Sequence, residues 1–209
     1  MPHTTHSNPV LLVHGIDDTE IIFWKMKLHL EKQGRSVHSL NLVPCNGDVC
    51  LSVLARQVAK YVDRVFVPTQ AIDLVGFSMG GIISRYYVQR LGGIRRVQRF
   101  VTIASPHNGT WAAYSRSNLG CVQMRPNSLF LENLNQDALI LKQINFTSIW
   151  TPLDLIIIPA NSSQLPVGKD KPVWVGGHAW MVSDTKGIEA VAEELSEPLR
   201  TPIGWAKSA

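Results

Sequence analysis

Short apolar runs and amphipathic stretches take turns along the first half of this chain, and that alternation restricts the fold more than any single residue does. The runs "PVLLVHG" (Pro9 to Gly15), "RSVHSLNLV" (Arg35 to Val43), "AIDLVGF" (Ala71 to Phe77) and "VQRFVTIAS" (Val97 to Ser105) are too brief for helices and read as strands. Between them, "IIFWKMKLHLEKQG" has helical spacing and stops at Gly34, and "DVCLSVLARQVAKYVDRVF" is amphipathic with Asp48 or Ser52 as caps. "MGGIISRYYVQRLGG" forms the third helix. Strands and helices alternating over short links predict a mostly parallel sheet with helices on both faces, an α/β fold.

The rhythm breaks after Pro106 and returns with strands "FTSIWT" and "KPVWVGG" and a helix within "TKGIEAVAEELS", for about six strands in all. The interruption, about residues 110–145, is expected to be a cap or lid insertion with one or two short helices over the strand ends. With 209 residues, 45% hydrophobic and 17% charged, residues 1–209 are expected to form one domain. No apolar run approaches the ~18 residues that span a bilayer. The opening "MPHTTHSNPVLLVHG" lacks the basic head and small-residue cleavage site of a secretion signal, so either a cytoplasmic location or a signal already trimmed is expected.

Net charge is +4, with one dense basic run, "RLGGIRRVQRF" (Arg90 to Phe100). It reads as a solvated helix end. The alternative is peripheral contact of Arg95, Arg96 and Arg99 with a membrane surface. No finger spacing or aromatic-interleaved basic stripe points to nucleic acid. Cys45 and Cys50 flank "NGDV" closely enough to bridge, Cys121 stands alone, and reduced thiols are expected. None of the three has zinc-ligand spacing.

Gly76-Phe77-Ser78-Met79-Gly80 lies between a predicted strand and a predicted helix, the context in which G-x-S-x-G forms a nucleophile elbow. The turn lifts the Ser78 hydroxyl above the sheet, and the Met79 N–H at the helix start faces whatever the serine attacks. A phosphate-binding loop would need a following Lys-Ser/Thr, which is missing. The partners should follow in the order Ser, Asp/Glu, His, each past the end of a strand. Asp154 in "FTSIWTPLDLIIIP" and His178 in "KPVWVGGHAWM" fit both conditions. Asp170 before the last strand and Asp184 after His178 read as exposed loop or cap residues. His38 reads as a strand residue, and His3 and His6 as tail residues. Ile16, after His14-Gly15, is the expected second oxyanion donor, with His14 a structural partner beneath the loop.

With these pieces in place, the chain resembles the small bacterial lipases (lipase class 2) of the α/β-hydrolase superfamily. The likeness runs through "NPVLLVHGI", "IDLVGFSMGGIISRYYVQ", "VTIASPHNGT", "TSIWTPLDLIIIP" and "GGHAWMVSD". It implies a compact α/β-hydrolase fold, a Ser78–Asp154–His178 triad, an oxyanion hole at Ile16 and Met79, and no metal or organic cofactor. His107 in "SPHNGT" reads as shaping its turn. The smallest relatives lack the 110–145 insertion. Its apolar residues, Trp111, Tyr114, Leu129 and Phe130 among them, are expected to contact substrate, either as a fixed cap or as an acyl-chain cover. The expected reaction is hydrolysis of lipid or other acyl esters by a monomer. The alternatives are a thioesterase, a short-chain carboxylesterase, a transacylase and a non-catalytic binding protein.

Overall fold

The computed structural model describes residues 7–200, so His3 and His6 lie outside the described residues. The strands β1 (Val10–Val13), β2 (Val37–Leu40), β3 (Ile72–Phe77), β4 (Val97–Ile103), β5 (Asn145–Trp150) and β6 (Lys169–Pro172) form one sheet. Their order is β2-β1-β3-β4-β5-β6 and every neighbouring pair is parallel. Around it lie α1 (Trp24–Lys32), α2 (Leu51–Val65), α3 (Met79–Arg90), α4 (Leu119–Gln123), α5 (Leu129–Gln136) and α6 (Thr185–Ser196).

The continuous apolar run of β1 has a direct cause. Leu11 and Val13 enter the core beneath α2 and α3, whereas Val10 and Leu12 enter the core beneath α1 and α6. A strand covered on both faces cannot alternate apolar with polar residues. From β1 the chain steps outward to β2 and then returns across β1 to β3. The connections therefore diverge between β1 and β3, which opens a crevice above their C-terminal ends. Gly15 and Ser78 sit there.

Gly34 ends α1 as expected, with a φ of +80° and its N–H donating to the Glu31 carbonyl at 2.9 Å. Neither expected cap serves α2. The N-cap position is Cys50, with no side-chain cap bond. Asp48 instead accepts from Asn46 at 2.7 Å and from Asn118, tying its loop to the insertion. All three cysteines are free.

The last strand also departs from expectation. It comprises Lys169–Pro172, and Val173 onward leaves the sheet. The cause is partner length: β5 ends at Trp150, and the Val173 N–H to Trp150 carbonyl bond at 2.7 Å is the last between them. Asp170 lies inside this edge strand, accepting from Trp150 Nε1 at 2.7 Å and from Gln164 at 2.8 Å. A charged edge such as Lys-Asp-Lys discourages pairing with another chain. His38 is in β2, its ring against Phe66, and Asp184 caps α6 through the Lys186 N–H at 2.9 Å.

Between β4 and β5 the insertion forms α4 and α5 plus 3-10 turns at Trp111–Ser115 and Ala138–Gln143. Its C-terminal half is bolted to α3. The fully buried Arg85 donates to the Leu134 carbonyl and to Asn135 Oδ1, both at 2.7 Å. Gln89 reaches Leu134 and Asp137 at 2.9 and 2.6 Å, and Arg90 pairs with Asp137. Burial holds the Arg85 guanidinium down to about 9, a cost met by this set of acceptors.

Most arginines of the basic run have internal partners too. Arg96 donates to the Val67 carbonyl at 3.0 Å, and Arg99 lies 3.1 Å from Asp73 and 2.8 Å from the Glu197 carbonyl. The run begins at the end of the 12-residue α3, roughly 18 Å from Ser78 along the helix axis. Arg99 lies within β4 and Arg96 reaches the end of α2, so these two are packed inward rather than forming a solvated helix end.

Candidate active site

Ser78 is the hinge between β3 and α3, with φ 53° and ψ −124°, a conformation that costs a non-glycine residue energy and persists only where its surroundings enforce it. Two glycines make room for it. A Cβ on Gly76 would lie 2.6 Å from the Gly81 Cα, and one on Gly80 would overlap the Val13 and His14 carbonyls. The Ser78 N–H donates to the Ile103 carbonyl at 2.8 Å, so the turn is anchored to β4. Ser78 is 6% exposed, and no hydrogen bond engages its hydroxyl among the described residues.

The structure brings Asp154 and His178 together. His178 Nδ1 donates to Asp154 Oδ2 at 2.8 Å. The other carboxylate oxygen accepts the N–H groups of Ile156 and Ile157, each at 2.8 Å. Asp154 thus organises its own loop and holds the imidazole with one buried group. The His178 ring packs on Phe77, the residue before the nucleophile, at a centroid distance of 4.9 Å. Its loop is tied to the acid's loop where Thr151 Oγ1 donates to the Val175 carbonyl at 2.7 Å. The interval from β6 to His178 is therefore a loop, Val173 to Gly177, rather than the strand end expected from the sequence.

Two residues near Ser78 were expected to donate backbone N–H groups: Ile16 lines the same cavity as Ser78, and Met79 follows it in the chain. Met79 opens α3, so its N–H has no intrahelical acceptor. The Ile16 N–H likewise finds no acceptor among the described residues. His14 is structural, as its position after β1 predicts. It is fully buried, its Nε2 accepting from the Leu42 N–H at 2.9 Å, and burial lowers its pKa. His107, also buried, bonds Thr102 Oγ1 at 3.0 Å, and burial pushes its pKa well below the usual imidazole range.

An apolar cavity of about 230 Å³ opens beside Ser78, lined among others by Ile16, Pro106, Ala113, Met124, Ile156 and Ile157. The four substrate contacts expected from the insertion do not line it. Trp111 and Tyr114 stack on each other at 5.4 Å and face solvent, Phe130 stacks on Tyr86 of α3 at 5.5 Å, and Leu129 is 84% exposed. The insertion lines the cavity instead with Thr110, Ala112, Ala113, Ser115, Arg116, Cys121 and Met124, while Trp111, Tyr114 and Phe130 are held in ring pairs. Ile156 and Ile157 come instead from the acid's own loop, where Asp154 orients them.

Sequence reasoning also missed Asp18. Its carboxylate lies 3.0 Å from where a Gly15 Cβ would stand, a point itself 3.1 Å from Ser78 Cβ. Burial raises its pKa, opposed by the nearby His14 and His178. "IDD" announced two acids, but only the backbone turn decides that Asp17 faces outward to Arg116, at 2.6 Å, while Asp18 turns inward.

A six-stranded parallel sheet with a serine elbow at its switch point defines an α/β-hydrolase, a hydrolytic enzyme class. Solved structures agree on the fold. The mature Bacillus licheniformis lipase BlEst2 superposes with a TM-score of 0.73 at 16% identity, covering 91% of this chain and 93% of that one. Aspergillus fumigatus lipase B gives a TM-score of 0.77 at 16% identity, over 92% of this chain and 53% of that longer one. A bromoperoxidase from Bacillus anthracis gives 0.69 at 16% identity, over 91% and 92% of the two chains. The family model for palmitoyl protein thioesterase matches residues 9–151, and the chain belongs to that family. The match spans the loop after β1 and the elbow and stops before Asp154 and His178.

Proposed function

We propose that this protein hydrolyses carboxylic esters with apolar acyl chains, such as acylglycerols, through a covalent acyl-enzyme on Ser78. The observation that carries the reading is the 2.8 Å His178–Asp154 bond, its imidazole packed on Phe77, the residue before a serine whose uncommitted hydroxyl borders an apolar cavity. In the reaction, His178 Nε2 takes the Ser78 proton as Oγ bonds to the ester carbonyl carbon. The Ile16 and Met79 N–H groups receive the oxyanion, each such donor contributing ~100-fold or more in rate. The imidazolium then protonates the leaving alcohol as the C–O bond breaks. Water, activated by the same imidazole, releases the fatty acid and restores Ser78.

Family membership favours one second reading, a thioester rather than an oxyester as substrate. The two share every step and differ in the leaving atom, so one assay separates them. Nitrophenyl esters and acyl thioesters of matched chain length would be compared with wild type and Ser78→Ala. Turnover of the oxyesters that disappears in Ser78→Ala supports the proposal. A preference for thioesters at every chain length moves the second reading ahead. Turnover unaffected by Ser78→Ala on all substrates defeats both.

A further inference from the structure

We infer that Asp18 selects esters whose alcohol carries a positively charged nitrogen, choline-like or aminoalkyl, by facing that alcohol as it leaves Ser78. Asp18 is a carboxylate that the reaction itself does not use. One of its oxygens lies 3.0 Å from where a Gly15 Cβ would stand, and that same point is 3.1 Å from Ser78 Cβ and 3.3 Å from the Phe77 ring. Because residue 15 is glycine, no side chain of its own separates the carboxylate from the nucleophile. Phe77 also carries the His178 ring at 4.9 Å, so Asp18, Ser78 and His178 gather around one phenyl group. The charges felt most at Asp18 are those of His14, His178 and Asp17.

The part of the substrate that Asp18 meets follows from what lines the cavity. Its walls include Ile16, Ala113, Met124 and Ile156, but neither Asp18 nor His178. With the acyl chain in that cavity, the alcohol lies outside it, where His178 Nε2 protonates it, which is where the inference rests on the ester-hydrolase reading. Asp18 borders Ser78 from outside the cavity, as His178 does. Its charge is also uncompensated. Asp17 pairs with Arg116 at 2.6 Å and Asp154 with His178 at 2.8 Å, whereas no cation lies within ion-pair distance of Asp18 among the described residues. Burial raises the Asp18 pKa, a penalty on its charged form that a cation in the alcohol would offset. Choline places its nitrogen two carbons beyond the ester oxygen, a reach that suits the short span between Ser78 and Asp18. The same charge repels an alcohol that carries phosphate, and an uncharged alkyl alcohol gains nothing from it.

The test compares butyrylcholine with its uncharged isostere, 3,3-dimethylbutyl butyrate, on wild type, Asp17→Asn and Asp18→Asn. A charge pair at roughly 6 Å, in a medium between protein surface and bulk water, should favour the choline ester about 10-fold in kcat/KM. Asp17→Asn should keep that preference and Asp18→Asn should collapse it toward equality. Salt near about 1 M should weaken the preference in wild type, a readout that needs no variant to fold. Equal kcat/KM for the two esters in wild type overturns the inference, as does a preference that survives Asp18→Asn. A loss in Asp18→Asn that both esters share, with their ratio kept, overturns it too, because the carboxylate would then act through His178 or the loop. Calorimetric affinities of the Ser78→Ala protein for the two esters test the site without turnover. The same preference in binding, where wild type cleaves no ester, would sink the hydrolase reading alone. Ser78-dependent turnover with equal affinities and equal kcat/KM would sink the Asp18 assignment alone.

Discussion

Replacing Asp154 by asparagine separates the two tasks of one buried carboxylate. The amide oxygen of Asp154→Asn can keep the N–H bonds from Ile156 and Ile157, both 2.8 Å in the native protein, so the loop retains its shape. The amide nitrogen then faces His178 Nδ1 across the 2.8 Å contact and offers it a proton. Nδ1 must accept, the ring proton moves to Nε2, and the nitrogen meant to take the Ser78 proton is already occupied. A triad held in the wrong tautomer loses ~10⁴ in kcat, about 5.4 kcal/mol of transition-state stabilisation. The stability cost is far smaller. Exchanging charge-assisted hydrogen bonds for neutral ones at a 5%-exposed site should remove about 1–2 kcal/mol. Asp154→Ala provides the contrast: activity falls as far, but the buried Ile157 N–H loses its acceptor, at a further ~1–3 kcal/mol. The assay pairs kcat on a nitrophenyl ester with urea unfolding of the three proteins. Asp154→Asn keeping more than about a tenth of native kcat would refute the tautomer argument. Equal destabilisation by Asn and Ala would refute the loop argument.

Further outcomes follow from the buried polar groups and the cavity. Arg85→Met removes the bonds from α3 to Leu134 and Asn135 and should cost ~2–4 kcal/mol, with faster amide exchange concentrated in α5. Exchange unchanged in α5 would mean that the C-terminal half of the insertion is held otherwise. His14 and His107 both have folded pKa values lowered by burial from the ordinary histidine value of about 6.5. Below that pH the unfolded chain binds protons that the native one refuses, so stability is full above it and falls as pH drops, by up to roughly 1.4 kcal/mol per pH unit for each histidine. Urea midpoints flat from pH 7 to pH 5 (about two units across the histidine range) would contradict this. Ala113→Leu adds three carbons to the wall of a 230 Å³ cavity and should abolish turnover of the longest acyl chains while sparing the shortest. A uniform loss across chain lengths would place the acyl chain elsewhere.

Much of the fold was legible because its signals are local. The apolar runs of β1 and β3 are continuous since both faces are buried, and Gly34 marked the end of α1 since its left-handed turn favours glycine. The edge strand β6 was misplaced because its residues, Lys169–Pro172, carry no apolar signal, while the neighbouring "VWV" imitates a strand without a partner to pair with. The candidate site divides in the same way. Chain order pointed to Ser78, Asp154 and His178 as candidates, and the structure brings the last two into hydrogen-bond contact, although His178 follows a loop rather than a strand end. The cavity lining could not, because whether an aromatic in the insertion faces substrate, another ring or solvent depends on what packs against it. Trp111 chose Tyr114, and Phe130 chose Tyr86.

The sequence by itself determined a parallel α/β sheet and a serine at a corner that only flanking glycines permit, because both follow from short-range sterics and burial periodicity. The tertiary structure alone decided which acid turns inward beside that serine and which side chains line its cavity. It also decided that Arg96 and Arg99 serve internal carbonyls and a buried carboxylate. Those outcomes depend on residues from separate elements meeting in space, as Arg99 meets Asp73 and Arg116 meets Asp17, and no spacing rule along the chain carries that information.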